Sequence, residues 1–131
     1  VPVLRFAATG VALPESPIGT TDEPVWIIEE AIPGIFFKFI NNNGVTPMPG
    51  LNQVTHAIAI FLCFCQHVQY NLTSGCCLVA DYQGSVEILT DAELATQEAN
   101  SRHFGRGSIS DILENFPTRH ICNEWCDYFG I

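Results

Sequence analysis

The segment that most restricts how this chain can fold is its C-terminus, Arg119-His120-Ile121-Cys122-Asn123-Glu124-Trp125-Cys126-Asp127-Tyr128-Phe129-Gly130-Ile131, which sets three residues of metal-ligand type within seven positions. Cys122 and Cys126 are four apart and would share one face of a helix, with His120 just ahead of the helix start. The trio is one ligand short of a tetrahedral zinc set, so the fourth must come from elsewhere in the chain. By residue type the candidates are His56, His67, His103, Cys63, Cys65, Cys76 and Cys77. Spacing alone leaves that choice open.

Six cysteines in a short chain would suggest three disulfides in a secreted protein. Their placement argues for thiols instead. Cys63 and Cys65 lie inside an apolar run, Cys76 and Cys77 are adjacent, and His120 accompanies the last pair, which suits an intracellular, cytoplasmic chain with one metal site. The sequon Asn71-Leu72-Thr73 supports the secreted alternative, but such tripeptides are frequent by chance. With 131 residues, 47 % of them hydrophobic, the chain is one domain or part of one, with enough apolar side chains for a packed core. It opens with Val1 in a strand-like run with no basic segment ahead, the expectation for a fragment or processed product without a signal peptide. The longest apolar run, Ala57 to Cys65, is well short of the roughly 20 residues needed to cross a bilayer, so no membrane partner is expected. The formal charge of −9 would repel nucleic acid and otherwise serves solubility.

Along the chain, Val1 to Leu13 reads as a strand, with Gly10 a bulge or turn, and Pro14 to Pro24 as a loop. Val25 to Glu30 is a second strand and Ile35 to Ile40 a third extended piece. Asn41-Asn42-Asn43-Gly44 favours a left-handed turn. From Asn52, a cap, the period turns helical through Val54, Ala57, Ile58, Phe61, Leu62, Cys65 and Val68. Apolar residues on its other faces predict a helix buried mid-domain and ending near Tyr70. Cys76 to Ala80 is a buried strand, Asp81-Tyr82-Gln83-Gly84 a polar break able to face a cleft, and Val86 to Leu89 extended again. Thr90-Asp91 opens a helix or a loop, and Thr90 with Glu93 is a capping-box pattern that, on the helical alternative, makes Asp91 a first-turn charge. Residues 95–107 read as a surface loop. Ile109, Ile112, Leu113 and Phe116 form an amphipathic helix capped by Ser108 or Ser110 and stopped by Pro117, and the last helix carries Cys122 and Cys126.

A β-rich front and a helical back, joined at Pro33 to Gly44, are the order of a two-lobed enzyme with a cleft at the joint. From about Val25 to the C-terminus, the motifs resemble the alpha-kinase family, the atypical protein kinases that include the myosin heavy chain, elongation-factor and channel kinases. Ile27-Ile28-Glu29-Glu30 followed by Pro33-Gly34 resembles the family's hinge, and Lys38 before the asparagine run resembles its Lys-x-Asn-rich stretch. Gln66-His67-Val68-Gln69-Tyr70 is similar to its helix-end motif, fourteen residues ahead of Asp81. Leu78-Val79-Ala80-Asp81-Tyr82-Gln83-Gly84 resembles the Asp-x-Gln-Gly catalytic segment, with Leu89-Thr90-Asp91 at the further spacing. His120-x-Cys122-Asn123-x-x-Cys126 resembles the terminal zinc motif.

The resemblance implies an α+β fold, an alpha-kinase-like C-terminal lobe with a structural zinc site and most of the N-terminal lobe missing. Residues 1–34 would be the end of that lobe and the hinge, and residues 35–131 the catalytic and zinc-binding lobe. The implied reaction is transfer of the ATP γ-phosphate to Ser or Thr of a protein substrate. Asp81 would orient the acceptor hydroxyl or take its proton, Gln83 and Asp91 would hold Mg²⁺, and Glu29, Glu30, Lys38 and Asn42 would line the nucleotide site. His67 would complete the zinc set with His120, Cys122 and Cys126, tying the central helix to the terminal one. Gly105 and Gly107 keep two glycines of the family's loop while its later ones are absent. The alternative is an inactive, zinc-stabilised remnant that acts as a protein-binding module.

Overall fold

The capped run at Asn52 forms the helix its periodicity predicts. In the computed structural model, which describes residues 1–15, 24–97 and 110–131, helix α1 spans Gln53–Leu72. Asn52 Oδ1 accepts from the amides of Val54 and Thr55, both at 3.0 Å, satisfying two donors that a first turn leaves free. Thr55, Ile58, Ala59, Leu62, Cys63 and Gln66 form its buried stripe, whereas Val54, His56 and Ala57 are exposed. The first turns are thus exposed on one side, whereas from Phe61 to Tyr70 no residue is exposed and Phe64, opposite the stripe, packs on Trp125 and Phe129, the mid-domain burial that the apolar faces predict. It runs two residues past Tyr70 because Thr73 closes its end: Thr73 Oγ1 donates to Gln69 O at 2.8 Å and accepts from Cys77 N at 3.1 Å. Ser74 and Gly75, both at positive φ, then turn the chain into the next strand.

The strands are shorter than the sequence suggests. Val1 to Leu13 divides into β1 (Arg5–Phe6) and β2 (Thr9–Ala12), which join different sheets, and Ile35 to Ile40 contributes only β4 (Phe37–Lys38). With β3 (Trp26–Glu29), β2 forms an antiparallel ribbon. A second sheet runs β1-β7-β6-β4, where β6 is Gln83–Gly84 and β7 is Ile88–Thr90, with β1 parallel to β7 and the other pairs antiparallel. A third pairs β5 (Cys77–Ala80) with β8 (Glu93–Thr96).

Two expectations fail at turns. Thr90 caps no helix: it ends β7, Asp91 takes a left-handed φ of 47°, and Glu93 enters β8 opposite Ala80. Pairing with the buried strand β5 outweighs the local capping pattern. The asparagine run makes a turn, closed by Gly44 N to Asn41 O at 2.9 Å, but none of its residues is left-handed. Space is tight at Gly44, where a Cβ would stand 3.1 Å from Asn41 N and O.

Helix α2 (Ser110–Arg119) continues through Pro117 instead of stopping there. Proline withholds one amide from the ladder, yet His120 N to Phe116 O and Thr118 Oγ1 to Asn115 O, both 2.9 Å, close the last turn. Of the surface loop expected at 95–107, Ala95 and Thr96 are instead buried in β8 opposite Leu78 and Cys77, and residues 98–109, with His103, the glycines and the Ser108 cap, lie outside the described residues. Helix α3 (Glu124–Phe129) is capped by Asn123, whose Nδ2 also donates to Ile60 O at 3.1 Å and fixes α3 against α1. Among the described residues no helix is long and apolar enough to cross a membrane.

One core gathers Phe39, Ile40, Ile58, Leu62, Tyr82 and Leu89 between α1 and the four-stranded sheet. The other packs Leu78, Ala80 and Ala95 of β5 and β8 against Ile112, Leu113 and Phe116 of α2. Burial pushes the Cys63 thiol up to about 12 and that of Cys65 up to about 11. These thiols keep their protons while the unfolded chain's ionise. The stability they contribute is therefore complete below the ordinary thiol range, near 8.5, and is lost as pH climbs toward their folded values. At pH 8, alkylation followed by peptide mapping is expected to label both more than about a hundredfold more slowly in the folded protein than in denaturant, Cys63 the more slowly of the two.

Candidate functional site

The polar break after β5 is a chain of charge and amide contacts. Asp81, buried and at a left-handed φ of 59°, forms an ion pair through Oδ1 with Nζ of Lys38, the chain's one lysine. Lys38 Nζ also donates to Gln83 Oε1 at 2.9 Å, and Gln83 Nε2 donates to Asp91 Oδ2 at 2.9 Å. Strand pairing explains the convergence. Lys38 lies opposite Gln83 in the β4–β6 register, and Gln83 opposite Thr90 in β6–β7, one residue before Asp91. Asp81 and Asp91, both at positive φ, flank this pairing, and strain of that kind gathers at functional sites.

Asp91 also lines a cavity of about 580 Å³ between the ribbon and β7, with Phe6, Ala7, Thr9, Ile27, Glu29, Leu89, Thr90 and Ala92. Glu29 spans it: Thr90 Oγ1 donates to Glu29 Oε2 at 2.6 Å, and Thr9 Oγ1 donates to Glu29 Oε1 at 3.3 Å. Glu30 is held elsewhere. Both its oxygens are taken by Arg5, at 2.6 and 2.9 Å, and by the Ala8 amide at 2.9 Å. Arg5, followed by the Ala8 amide, lowers its carboxyl to about 2. Asn42 sits on the exposed turn, and no hydrogen bond among the described residues joins its side chain to Asp81, Gln83 or Asp91.

A second cluster lies where the ends of α1, α2 and α3 meet. His67, His120, Cys122 and Cys126 bring their ligand atoms within 4.8 Å of one another. His67 Nδ1 is 3.5 Å from Cys126 Sγ and 3.9 Å from Cys122 Sγ, and His120 Nε2 is 3.6 Å from Cys126 Sγ. Ligands at zinc's usual nitrogen and sulfur distances stand about 3.5 Å apart across a tetrahedron, so the donor set and its spacing both fit that ion. Burial lowers His67, and burial followed by the neighbouring His67 holds His120 at about 4, so both imidazoles stay neutral as metal ligands must be. The Phe116 ring stacks on His120 at 4.9 Å and 11°, fixing its plane. Burial, above all, raises the Cys126 thiol.

The Arg5–Glu30 pair and the Thr90–Glu29 bond were not visible in the sequence, since each joins segments far apart in the chain. Adjacent acidic residues at the end of a strand are a usable signal, because successive side chains face opposite sides and so have different partners.

A two-stranded ribbon over a cavity, a lysine–carboxylate chain that reaches the cavity wall at Asp91, and a histidine–cysteine cluster behind α1 make an α+β domain with a cleft. The chain superposes on the apoenzyme alpha-kinase domain of myosin-II heavy chain kinase A with a TM-score of 0.71 at 22 % identity, covering 98 % of this chain and 47 % of that one. Against the same kinase domain in complex with AMP, the TM-score is 0.69 at 23 % identity, with 98 % and 49 % covered. The alpha-kinase family model matches residues 6–126, and the chain belongs to the alpha-kinase family. It is 34 % identical over 108 residues to transient receptor potential cation channel subfamily M member 6 of Homo sapiens, covering 77 % of this chain and 5 % of that protein. Alpha-protein kinase 2 of Mus musculus is 32 % identical over 108 residues, covering 82 % of this chain and 5 % of that protein. The chain thus spans about half of the solved domains and a small part of these relatives.

Proposed function

We propose that this chain is the hinge and C-terminal lobe of an alpha-type kinase that transfers the γ-phosphate of ATP to Ser or Thr of a protein. Residues 1–34 form the end of the N-terminal lobe and the hinge, and residues 35–131 the catalytic and zinc-binding lobe. The observation that carries this reading is the unbroken chain Asp81, Lys38, Gln83, Asp91, which ends at Asp91 on the wall of the Glu29 cavity. Phosphoryl transfer asks a protein chiefly to position the acceptor and to neutralise charge, and this cluster carries both kinds of group.

Asp81 orients the acceptor hydroxyl or takes its proton, with Lys38 holding the carboxylate beside the nucleotide site. Glu29 and Asn42 serve the nucleotide, and Glu30 belongs to the same site. Gln83 and Asp91 are the residues for Mg²⁺, which neutralises phosphate charge when bound. Their oxygens are the hard donors it prefers, although Gln83 turns its nitrogen toward Asp91. A fit requires the amide oxygen on that side, a rotation about a soft terminal torsion that gives up the bond from Lys38 Nζ to Gln83 Oε1. His67, His120, Cys122 and Cys126 hold a structural zinc, a closed set with no open position for catalysis. The second reading is an inactive, zinc-stabilised remnant serving as a protein-binding module, favoured by the absence of the later glycines of the family's loop after Gly105 and Gly107.

Calorimetry with ATP and Mg²⁺, followed by a phosphorylation assay, separates the two readings. Asp81→Asn is expected to lower phosphotransfer by about 10²–10⁴-fold. Asparagine tolerates the left-handed φ, so the melting temperature should stay close to wild type. Absence of both ATP binding and phosphotransfer in the wild type would favour the remnant, or a chain that needs more N-terminal sequence to act.

A further inference from the structure

We propose that Glu30 is a positioning residue whose clamp with Arg5 seats the β2–β3 ribbon on the four-stranded sheet and so sets the width of the Glu29 cavity. The inference rests on the nucleotide reading of that cavity and assigns Glu30 an action through Arg5 instead of a contact with the nucleotide.

Glu29 and Glu30 are successive residues of extended chain, so their side chains leave on opposite faces. Glu29 turns inward to Thr90 and Thr9. Glu30 turns to Arg5 Nη1 and Nη2, at 2.9 and 2.6 Å, and to the Ala8 amide at 2.9 Å, which engages both its oxygens. Ala8 stands at the corner where the chain leaves β1 for β2, outside both strands, and Glu30 is the acceptor its amide finds there. The backbone reinforces the junction, with Glu30 N donating to Ala8 O at 3.0 Å.

The corner needs such a hold. β1 is two residues long and meets β7 through Arg5 N to Glu87 O and Ala7 N to Leu89 O. The ribbon buries little against the sheet, since Trp26, Ile27 and Ile28 are all exposed. Its tilt over the cavity is therefore set by few ties, of which the clamp and the Glu29–Thr90 bond are two. Exposed ion pairs are usually weak, but a fork-on-fork arginine–carboxylate pair with an added backbone donor is the geometry in which they are not.

The test combines amide hydrogen exchange with ATP calorimetry in the presence of Mg²⁺, on the wild type, Arg5→Ala, Glu30→Gln and the double variant. Both single variants are expected to speed exchange in residues 10–12 and 27–29 about tenfold while α1 is unchanged, and to weaken ATP binding by a similar factor. The double variant should bind no more weakly than either single one, because all three lose the same clamp. Charge reversal, Arg5→Glu with Glu30→Arg, should restore part of the affinity. A further loss of affinity on adding Glu30→Gln to Arg5→Ala would make Glu30 a direct ligand and overturn the proposal, as would unchanged exchange in both singles. If the wild type binds no ATP, the nucleotide reading fails, and exchange alone decides whether the clamp seats the ribbon. Should Arg5→Ala fail to fold, Arg5→Lys keeps the charge while removing the fork, and the same criteria apply.

Discussion

Gly84→Ala is expected to cost about 3–5 kcal/mol and to leave little folded protein at 37 °C. Gly84 adopts a φ of 141°, a region closed to side chains, and a Cβ would lie 2.1 Å from Ile88 O and 2.9 Å from Leu89 Cα. Those neighbours are backbone of β7, so neither a rotamer change nor a small shift relieves the clash. The damage would reach the candidate site, because Gly84 pairs with Phe37 on one side and Leu89 on the other, next to the Lys38–Gln83 and Gln83–Thr90 pairs. Denaturant unfolding checks the size of the loss. Gly10→Ala is the control: nothing lies within 4 Å of its added Cβ and its φ is not positive, so it should be nearly neutral. Equal behaviour of the two variants would remove the steric account of Gly84.

The second large effect is expected at the histidine–cysteine cluster. Cys126→Ser should abolish stoichiometric zinc and the cooperative unfolding transition, because structural zinc contributes about 10–16 kcal/mol in small domains and is linked to folding. Cys126 is fully buried and stands within 3.6 Å of both imidazoles, so it has no substitute among its neighbours. Elemental analysis should find one zinc per chain in the wild type and in Cys76→Ser, whose thiol lies outside the cluster. Chelation of the wild type should mimic Cys126→Ser and make Cys122, already exposed, react quickly with thiol reagents. A metal-free Cys126→Ser protein that melts like the wild type would rule out a structural metal.

Much of the site's composition was legible in the sequence, though its partnerships were not. The spacing of His120, Cys122 and Cys126 reads directly as a ligand set, because a metal needs particular side chains at particular intervals. The fourth member had seven candidates by type, and folding brings His67 to the other three, from the far end of α1. The Asp81 to Gly84 break was evident from polar residues after an apolar strand. That Lys38 would meet Asp81 and Gln83 depended on a β4–β6 register linking segments some 45 residues apart. Thr90 shows the opposite failure. Its capping-box pattern is locally sound, yet Glu93 pairs into β8 because β5, with Leu78 and Ala80 buried, offers a longer-range partner.

By itself the sequence determined what each segment does to its own backbone: where α1 starts at Asn52, where apolar faces lie, and which side chains can bind metal or carry a proton. Such features depend on a residue and its nearest neighbours, so they survive without the fold. Tertiary structure alone decided that Glu29 faces the cavity while Glu30 grips Arg5, that Gly84 has no room for a side chain, and that Pro117 does not end α2. Each of these depends on atoms from distant parts of the chain arriving together, and no local pattern encodes the energy of that meeting.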